Sequence, residues 1–188
     1  MEHYWKTTVG ESPEGWFTYP NLYSEFVKEM KDGSVFVEIG SWKGKSMAYM
    51  GVEVINSGKS IKCYAVDTWE GSDEHSDDPY IRTNKMYPLF ISNTQKVSSV
   101  VTPIRKTSVD GAKEFEDASI DVVFIDACHS YECVKEDIAA WLPKVKTGGI
   151  ISGHDYYWGD NGVKRAVDEK FGDKVHFSQG ENCWVVRV

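Results

Sequence analysis

The feature that most constrains the fold is a short apolar segment followed by two glycines, SVFVEIGSWKGKS over residues 34–46. The nearly continuous apolar run at 35–39 predicts a parallel strand that is covered on both faces. Gly40 and Gly44 then mark a turn where bare backbone can approach a ligand or adopt a positive φ. A helix from about Lys45 would point its first N–H groups at this turn. Together these elements predict a doubly wound α/β fold with a nucleotide pocket at the carboxyl edge of its sheet.

An acid precedes the glycines, so the pattern is E-x-G-x-x-x-G rather than the dinucleotide fingerprint G-x-G-x-x-G. A carboxylate here repels a pyrophosphate and attracts a cationic ligand. The segment resembles the first motif of class I S-adenosylmethionine (SAM) dependent methyltransferases, whose cofactor carries a sulfonium and an amino group. The resemblance implies cofactor-binding roles for Glu38, Gly40, Ser41, Gly44 and Ser46. A turn that merely ends the strand is the alternative.

Size and charge exclude several classes of protein. The 188 residues fit a single domain with a substantial core. A net charge of -8 argues against a nucleic-acid partner, because phosphate binding needs clustered Lys and Arg. No apolar run approaches the ~20 residues of a membrane span, and the N-terminus does not resemble a signal peptide. The four cysteines are scattered and fit reduced thiols. We therefore predict a cytoplasmic protein without a membrane partner, with its oligomeric state open and a homodimer as one option.

A second strand is predicted over residues 61–67, and it ends in Asp67. This acid follows Gly44 by about 20 residues, the spacing at which dinucleotide folds place the acid that binds the ribose hydroxyls. Thr68 and Trp69 come next as further candidates for cofactor binding, and Trp69 is expected to stack on or flank the nucleoside. The alternative for Asp67 is a helix cap or a turn.

Two segments have less certain roles. Residues 1–33 are predicted to form an N-terminal aromatic arm and a helix, leaving 34–188 as the methyltransferase-like domain. The arm either packs on the body of the protein or forms a flap that lends aromatic walls to a pocket. The long connection over 68–99 begins with an acidic stretch, which is either a solvated surface or a substrate lid.

The next segment predicts an edge strand and a short helix. Pro103 marks the strand at 101–105 as an edge, because proline cannot donate to a neighbouring strand. A helix through Phe115 is expected to be capped by Ser108 or Asp110. In methyltransferases this corner lies against the adenine, so the resemblance also implies that Ser108 faces the base.

The second informative stretch is IDVVFIDACHSYE at 120–132, an apolar strand that delivers Asp126 to the carboxyl edge and is followed by His129. A helix is predicted after it, ending at residues 146–149. The run GGIISGHDY then gives another strand that ends in His154 and Asp155. A helix over 162–171 and two strands, at 175–177 and 183–188, complete the chain.

These runs make the resemblance specific. The E-x-G-x-x-x-G turn, the D-x-x-H-S-Y-E run and the G-G-x-x-x-G-H-D-Y run resemble methyltransferase family 24, over about residues 34–188. The family is related to metal-dependent O-methyltransferases of sugars and catechols. The resemblance implies a Rossmann-like sheet of seven strands in the order 3-2-1-4-5-7-6, with the last-formed strand antiparallel and no separate substrate domain.

Asp126 and Asp155 would end adjacent central strands, so their carboxylates are expected to converge where ligands bind. Two hard oxygen ligands suit Mg²⁺ or Ca²⁺, whereas His154 and His129 suit a softer transition metal. Asp126, His154 and Asp155 are the candidate metal ligands. Asp126 is also a candidate for cofactor binding and, with His129, for catalysis. The alternatives are acids that cap helices without a metal and a structural histidine.

The sequence therefore predicts SAM-dependent O-methylation of a small acceptor, such as a sugar, a phenol or a natural-product hydroxyl. The acceptor loses its proton either to His129 or by way of a divalent cation that makes the hydroxyl more acidic. A nicotinamide-dependent oxidoreductase and a non-catalytic nucleotide-binding module are the alternatives, and N-methylation stays open.

Overall fold

The computed structural model describes residues 1–4, 16–71, 77–178 and 180–188. Among these residues, no helix is both long and apolar enough to cross a membrane. In chain order the helices and strands are α1 (Pro20–Glu29), β1 (Val35–Ile39), α2 (Lys45–Ser57), β2 (Lys62–Asp67), α3 (Pro79–Arg82), α4 (Met86–Thr94), β3 (Val101–Arg105), α5 (Ser108–Ala112), β4 (Ile120–Ile125), α6 (Tyr131–Trp141), β5 (Val145–Gly153), α7 (Gly162–Phe171), β6 (His176–Phe177) and β7 (Trp184–Arg187).

The sheet confirms the predicted topology. Its seven strands lie in the order β3-β2-β1-β4-β5-β7-β6. Strands β1 to β5 pair in parallel, and β7 runs antiparallel to both β5 and β6. The strand order reverses between β1 and β4, and in such sheets ligands bind outside the carboxyl ends of the strands at this point.

Helices cover both faces of the sheet, which explains the continuous apolar run of β1. Phe36 points into a core shared with α1, α2 and α4, and Val37 points into a core shared with α5, α6 and α7. Because side chains alternate along a strand, Glu38 lies on the same face as Phe36. The carboxylate is therefore directed toward α1 and α2.

The end of the arm packs into the first of these cores. Phe17 and Tyr19 are buried, and their ring centroids lie 4.9 Å apart. Tyr19 also packs on Phe124 of β4. Phe17 and Tyr19 thus pack on the body, and Tyr19 also lies at the carboxyl edge, so both readings of the arm stay open. Residues 5–15 lie outside the described part, and the boundary at residue 33 stays a prediction.

Three local expectations are wrong. The cap of α5 is Thr107, whose hydroxyl accepts from the N–H of Asp110, and the helix ends at Ala112 rather than at Phe115. The glycine pair at 148–149 does not terminate α6 but lies inside β5, where the pairing with β4 shifts register. Helix α6 ends earlier because Pro143 follows and lacks the N–H that a continued helix needs.

Candidate active site

The glycine turn brings the ends of β1 and β4 into direct contact. Gly40 has a φ of +86°, and a Cβ on it would lie 2.1 Å from the carbonyl oxygen of Asp126. The N–H of Asp126 also donates to the carbonyl of Ile39 at 2.8 Å. A glycine is required here because the backbones of the two strand ends touch, and this contact places Asp126 next to the turn.

Asp67 ties the glycine turn to the end of β2. Its carboxylate accepts from the N–H of Trp42 at 2.9 Å and from the N–H of Trp69 at 2.7 Å. Burial raises the pKa of Asp67, and these N–H donors oppose that shift. The predicted ribose acid therefore lies at the crevice in a fixed orientation, while its binding of a ribose stays a prediction.

The structure speaks against stacking of Trp69 on a nucleoside, while a place flanking it stays a prediction. Its indole is 1% exposed and packs on Tyr87 and Phe90, with ring centroids 4.8 and 4.7 Å away. The indole N–H donates to the carbonyl of Trp42 at 2.9 Å. A ring held inside the core offers no face to a ligand, so Trp69 supports the glycine turn instead.

Ser108 and Thr68 use their hydroxyls within the protein. Ser108 Oγ accepts from the indole N–H of Trp141 at 2.9 Å, which turns the hydroxyl toward α6. Thr68 Oγ1 accepts from the N–H of Glu70 at 3.2 Å. The side chain of Ser108 thus joins α5 to α6, and a contact of either residue with the cofactor stays a prediction.

Glu38 is fully buried beneath the glycine turn. It accepts from the hydroxyl of Tyr23 at 2.5 Å and from the hydroxyl of Ser46 at 2.9 Å. Burial raises its pKa to about 7, although the hydrogen bonds lower it. A positive charge brought nearby would favour the ionised form.

The raised pKa of Glu38 makes stability depend on pH. Because the folded state holds this proton more tightly than the unfolded state, the contribution is complete below the ordinary pKa of 4.5 and is lost as the pH rises to about 7. As the pH rises from 5 to 8, the unmodified protein loses this contribution and Glu38→Gln does not. We therefore expect the free energy of unfolding of Glu38→Gln to rise by on the order of 2–3 kcal/mol relative to that of the unmodified protein. Urea unfolding of both proteins at the two pH values measures this. An equal difference at both would contradict the shift.

Ser41 supplies a buried polar atom in the turn. Its hydroxyl lies close enough to Glu38 to lower that pKa, yet it makes no well-formed hydrogen bond to the part of the chain that the structure describes. Buried polar groups are almost always paired. Ser41 Oγ is therefore a buried hydroxyl next to Glu38, and its binding of a cofactor stays a prediction.

Three side chains from the ends of β4 and β5 form a cluster. Asp126, His154 and Asp155 each offer one ligand atom, and these atoms all lie within 4.8 Å of one another. His154 Nδ1 is 3.2 Å from Asp155 Oδ2 and 3.7 Å from Asp126 Oδ1. The structure therefore brings together all three predicted metal ligands, although their binding of a metal stays a prediction.

The cluster is strongly polarised. Burial lowers the pKa of His154, but the hydrogen bonds and charges of Asp126 and Asp155 outweigh burial and raise it to about 10. Burial raises the pKa of Asp155, yet the hydrogen bonds from His129 and His154 hold it well below its ordinary value. A protonated imidazole thus supplies the positive charge between the two carboxylates, and His154 must release its Nδ1 proton before that nitrogen can bind a metal cation.

His129 contacts the cluster through Asp155. Its Nε2 lies 3.0 Å from Asp155 Oδ2, and its Nδ1 is buried. The geometry therefore fits a residue that orients Asp155 better than a base that takes a proton from an acceptor.

Asp155 adopts an unusual backbone conformation with a φ of +56°. A non-glycine residue in the left-handed region persists only where its surroundings hold it, and such residues cluster at functional sites. Here the two histidines hold its carboxylate.

The acidic connection is anchored to the glycine turn. Asp78 caps α3 and forms an ion pair of 2.9 Å with Lys43, which is nearly buried. Residues 72–76 lie outside the described part of the chain, so the substrate lid stays a prediction. A small cleft opens beside the cluster, lined partly by Asp126, His129 and His154.

With this geometry in place, similarity to known proteins identifies the family. A family model described as a methyltransferase domain, methyltransferase family 24, matches residues 37–156. The chain belongs to this family. The match spans the strand, the glycine turn and the cluster, so the resemblance and the fold class predicted from the sequence are confirmed.

Two solved structures of methyltransferases are similar to this chain at the level of the fold, and one curated protein is similar in sequence. The structure of the O-methyltransferase NovP matches this chain with a TM-score of 0.64 at 16% identity. The matched region covers 90% of this chain and 79% of the NovP chain. The structure of CalS11, a TDP-rhamnose 3'-O-methyltransferase, matches with a TM-score of 0.60 at 14% identity. This match covers 89% of this chain and 77% of the CalS11 chain. The uncharacterized protein y4gI of Sinorhizobium fredii is 30% identical over 119 residues, which make up 63% of this family 24 chain and 13% of y4gI.

Proposed function

We propose that this family 24 chain transfers a methyl group from SAM to a hydroxyl of a small acceptor with the help of a divalent cation. One observation carries the proposal: the cluster of Asp126, His154 and Asp155 adjoins the glycine turn, because Gly40 packs on the backbone of Asp126. A cofactor on the turn and a cation on the cluster would therefore share one edge of the sheet.

The chain's own residues suit a cationic cofactor. Glu38 and Asp67 place two carboxyl groups beneath and beside the turn, where a sulfonium and an ammonium group would be attracted. In this assignment Gly40 to Gly44 hold the amino-acid end, with Ser41 Oγ as a partner, and Asp67 holds the ribose. SAM supplies a methyl group on a positively charged sulfur.

The donor set of the cluster suits a small divalent cation. Two carboxylates are ligands that Mg²⁺ and Mn²⁺ accept, and the imidazole of His154 favours Mn²⁺ over Ca²⁺. When bound, such a cation lowers the pKa of an acceptor hydroxyl and orients it. Asp126 and Asp155 would hold the cation beside the acceptor, and His129 would keep Asp155 in position.

Proton removal is the remaining task of the protein. Because His129 Nε2 is bonded to Asp155 and its Nδ1 is buried, the arrangement favours the cation-assisted route over direct removal by this histidine. The proton would then leave to water. Alignment of the acceptor oxygen with the methyl group supplies the rest, since orientation alone contributes several kcal/mol to such reactions, about 7–11 in favourable cases.

Support for a hydroxyl acceptor comes from the structural neighbours. NovP is named an O-methyltransferase, and CalS11 is named for its action on the 3'-oxygen of TDP-rhamnose. The net charge of -8 disfavours a nucleic-acid acceptor. Glu38 and the absence of G-x-G-x-x-G from the printed sequence disfavour the nicotinamide-dependent alternative.

The test is methyl transfer itself, followed as release of S-adenosylhomocysteine. The chain is incubated with SAM and a panel of sugar nucleotides, catechols and phenolic glycosides, with Mg²⁺ or with excess chelator. We expect turnover with a hydroxyl acceptor that stops on chelation and returns with Mg²⁺. Full turnover in chelator would refute the cation, and no turnover with any acceptor despite SAM binding would favour the non-catalytic module.

A further inference from the structure

Two consecutive residues of the N-terminal arm contact the candidate cation cluster. The hydroxyl of Tyr19 donates to Asp126 Oδ2 at 2.6 Å, and Thr18 Oγ1 lies 3.1 Å from His154 Nε2. These bonds span 107 and 136 positions of the sequence, respectively. The arm therefore contacts two of the three members of the cluster. Neither residue takes part in the methyl transfer proposed above.

The ring of Tyr19 is firmly held. It is 3% exposed, and its centroid lies 4.8 Å from the rings of both Phe124 and His154. A ring packed in this way fixes where its hydroxyl points. Because that hydroxyl bonds Asp126 Oδ2, the other oxygen, Oδ1, is the one that faces His154 at 3.7 Å. The bond therefore selects which carboxylate oxygen enters the cluster.

Thr18 has the corresponding effect on His154. An imidazole binds a cation through one nitrogen, while its other N–H usually donates to an oxygen that fixes the ring. Thr18 Oγ1 can accept from Nε2, and this leaves Nδ1 directed at Asp155 Oδ2, 3.2 Å away. The hydroxyl of Thr18 thus bonds the ring nitrogen that is turned away from the two carboxylates.

Every member of the cluster then has one orienting partner. Tyr19 orients Asp126, Thr18 orients His154, and His129 orients Asp155. We propose that Thr18 and Tyr19 are positioning residues that direct Asp126 Oδ1 and His154 Nδ1 toward a divalent cation. This inference rests on the cation site of the proposed function.

Binding of Mn²⁺ to the full chain, without cofactor or acceptor, tests the inference independently of activity. Free Mn²⁺ is measured by electron paramagnetic resonance. We expect Tyr19→Phe and Thr18→Val each to weaken Mn²⁺ binding by about 10- to 100-fold, the usual cost of removing an orienting partner of a metal ligand. Thr18→Ser restores a hydroxyl at the same place and should bind Mn²⁺ like the unmodified protein.

The control removes a tyrosine hydroxyl from the same region but away from the cluster. Tyr49 packs on Phe17 with a centroid distance of 5.1 Å, and its hydroxyl bonds Ser24 at 2.8 Å. Tyr49→Phe should leave Mn²⁺ affinity unchanged. Circular dichroism and the melting temperature of each variant establish that the fold is kept, since Phe retains the buried ring.

The outcomes separate this inference from the proposed function. If Asp155→Asn loses Mn²⁺ while Tyr19→Phe and Thr18→Val bind it normally, the cation site stands and the positioning role is overturned. Tighter binding by Tyr19→Phe would show that the phenol competes with the cation for Asp126, which also overturns it. If the unmodified protein binds no Mn²⁺, the positioning role and the cation site both fail.

Discussion

Replacing Asp155 with Asn is expected to lower the methyl-transfer rate by about 10²–10³-fold, the largest loss among the side chains of the site. The change removes one of the two carboxylates of the cluster, and a polarising cation contributes several kcal/mol to such reactions. Asn tolerates the left-handed conformation that Asp155 adopts at a φ of +56°. The backbone should therefore stay in place, and the measured loss should report chemistry. The rate is measured with Mg²⁺ at saturating SAM.

His129→Gln is the matched comparison, because Nε2 of His129 lies 3.0 Å from the same carboxylate. As an orienting partner it should cost about 10- to 100-fold, less than Asp155→Asn. The reverse order, together with full activity in excess chelator, would identify His129 as a general base, for which a loss of about 10²–10⁴-fold is typical. That result would show that methyl transfer does not depend on a divalent cation.

Gly40→Ala is expected to destabilise the protein by on the order of 3–5 kcal/mol, a large part of the stability of an ordinary domain. The new Cβ would lie 2.1 Å from the carbonyl oxygen of Asp126, at a φ of +86°. The atom it meets is backbone within the sheet and cannot rotate away, so the strand ends must separate. Urea unfolding gives the free energy.

Gly58→Ala separates this contact from backbone strain. Gly58 also has a positive φ, +70°, but a Cβ there meets nothing within 4 Å. It should cost only about 1–2 kcal/mol, the price of a left-handed conformation for an L-residue. An equal loss of unfolding free energy in the two variants would show that the close contact between the ends of β1 and β4 does not contribute to stability. Failure of Gly40→Ala to fold, with Gly58→Ala folded, agrees with the expectation.

The parts of the fold that the sequence predicted are those with a local signal. β1 and β4 are apolar runs of strand length, and α7 is bounded as predicted at 162–171. The metal candidates followed from the same logic, because an acid directly after a parallel strand must lie at its carboxyl edge. Strand order came from the family resemblance, since pairing across the sheet leaves no local signature in one chain.

What the sequence did not predict depends on tertiary contacts. Nothing near Tyr19 or Thr18 indicates partners more than 100 positions away; the density of aromatic residues in the arm was the only signal. Trp69 was placed against the nucleoside because of its position, but packing on Phe90 draws its indole into the core. The sequence also could not show that Thr107 rather than Ser108 caps α5, because both residue types are good helix caps. In the structure Ser108 Oγ accepts a hydrogen bond from the indole N–H of Trp141 instead.

The most direct test of the account is calorimetric titration of the chain with S-adenosylhomocysteine and, separately, with NAD⁺. The carboxylates at the turn should attract the amino group of S-adenosylhomocysteine and repel the pyrophosphate of NAD⁺. We therefore expect one-to-one binding of S-adenosylhomocysteine and no binding of NAD⁺. Asp67→Ala should weaken that binding by the ~1.5–3 kcal/mol typical of hydrogen bonds to a charged group. Binding of NAD⁺, or S-adenosylhomocysteine affinity that is undiminished in Asp67→Ala, would contradict the assignment of the glycine turn and Asp67 to SAM.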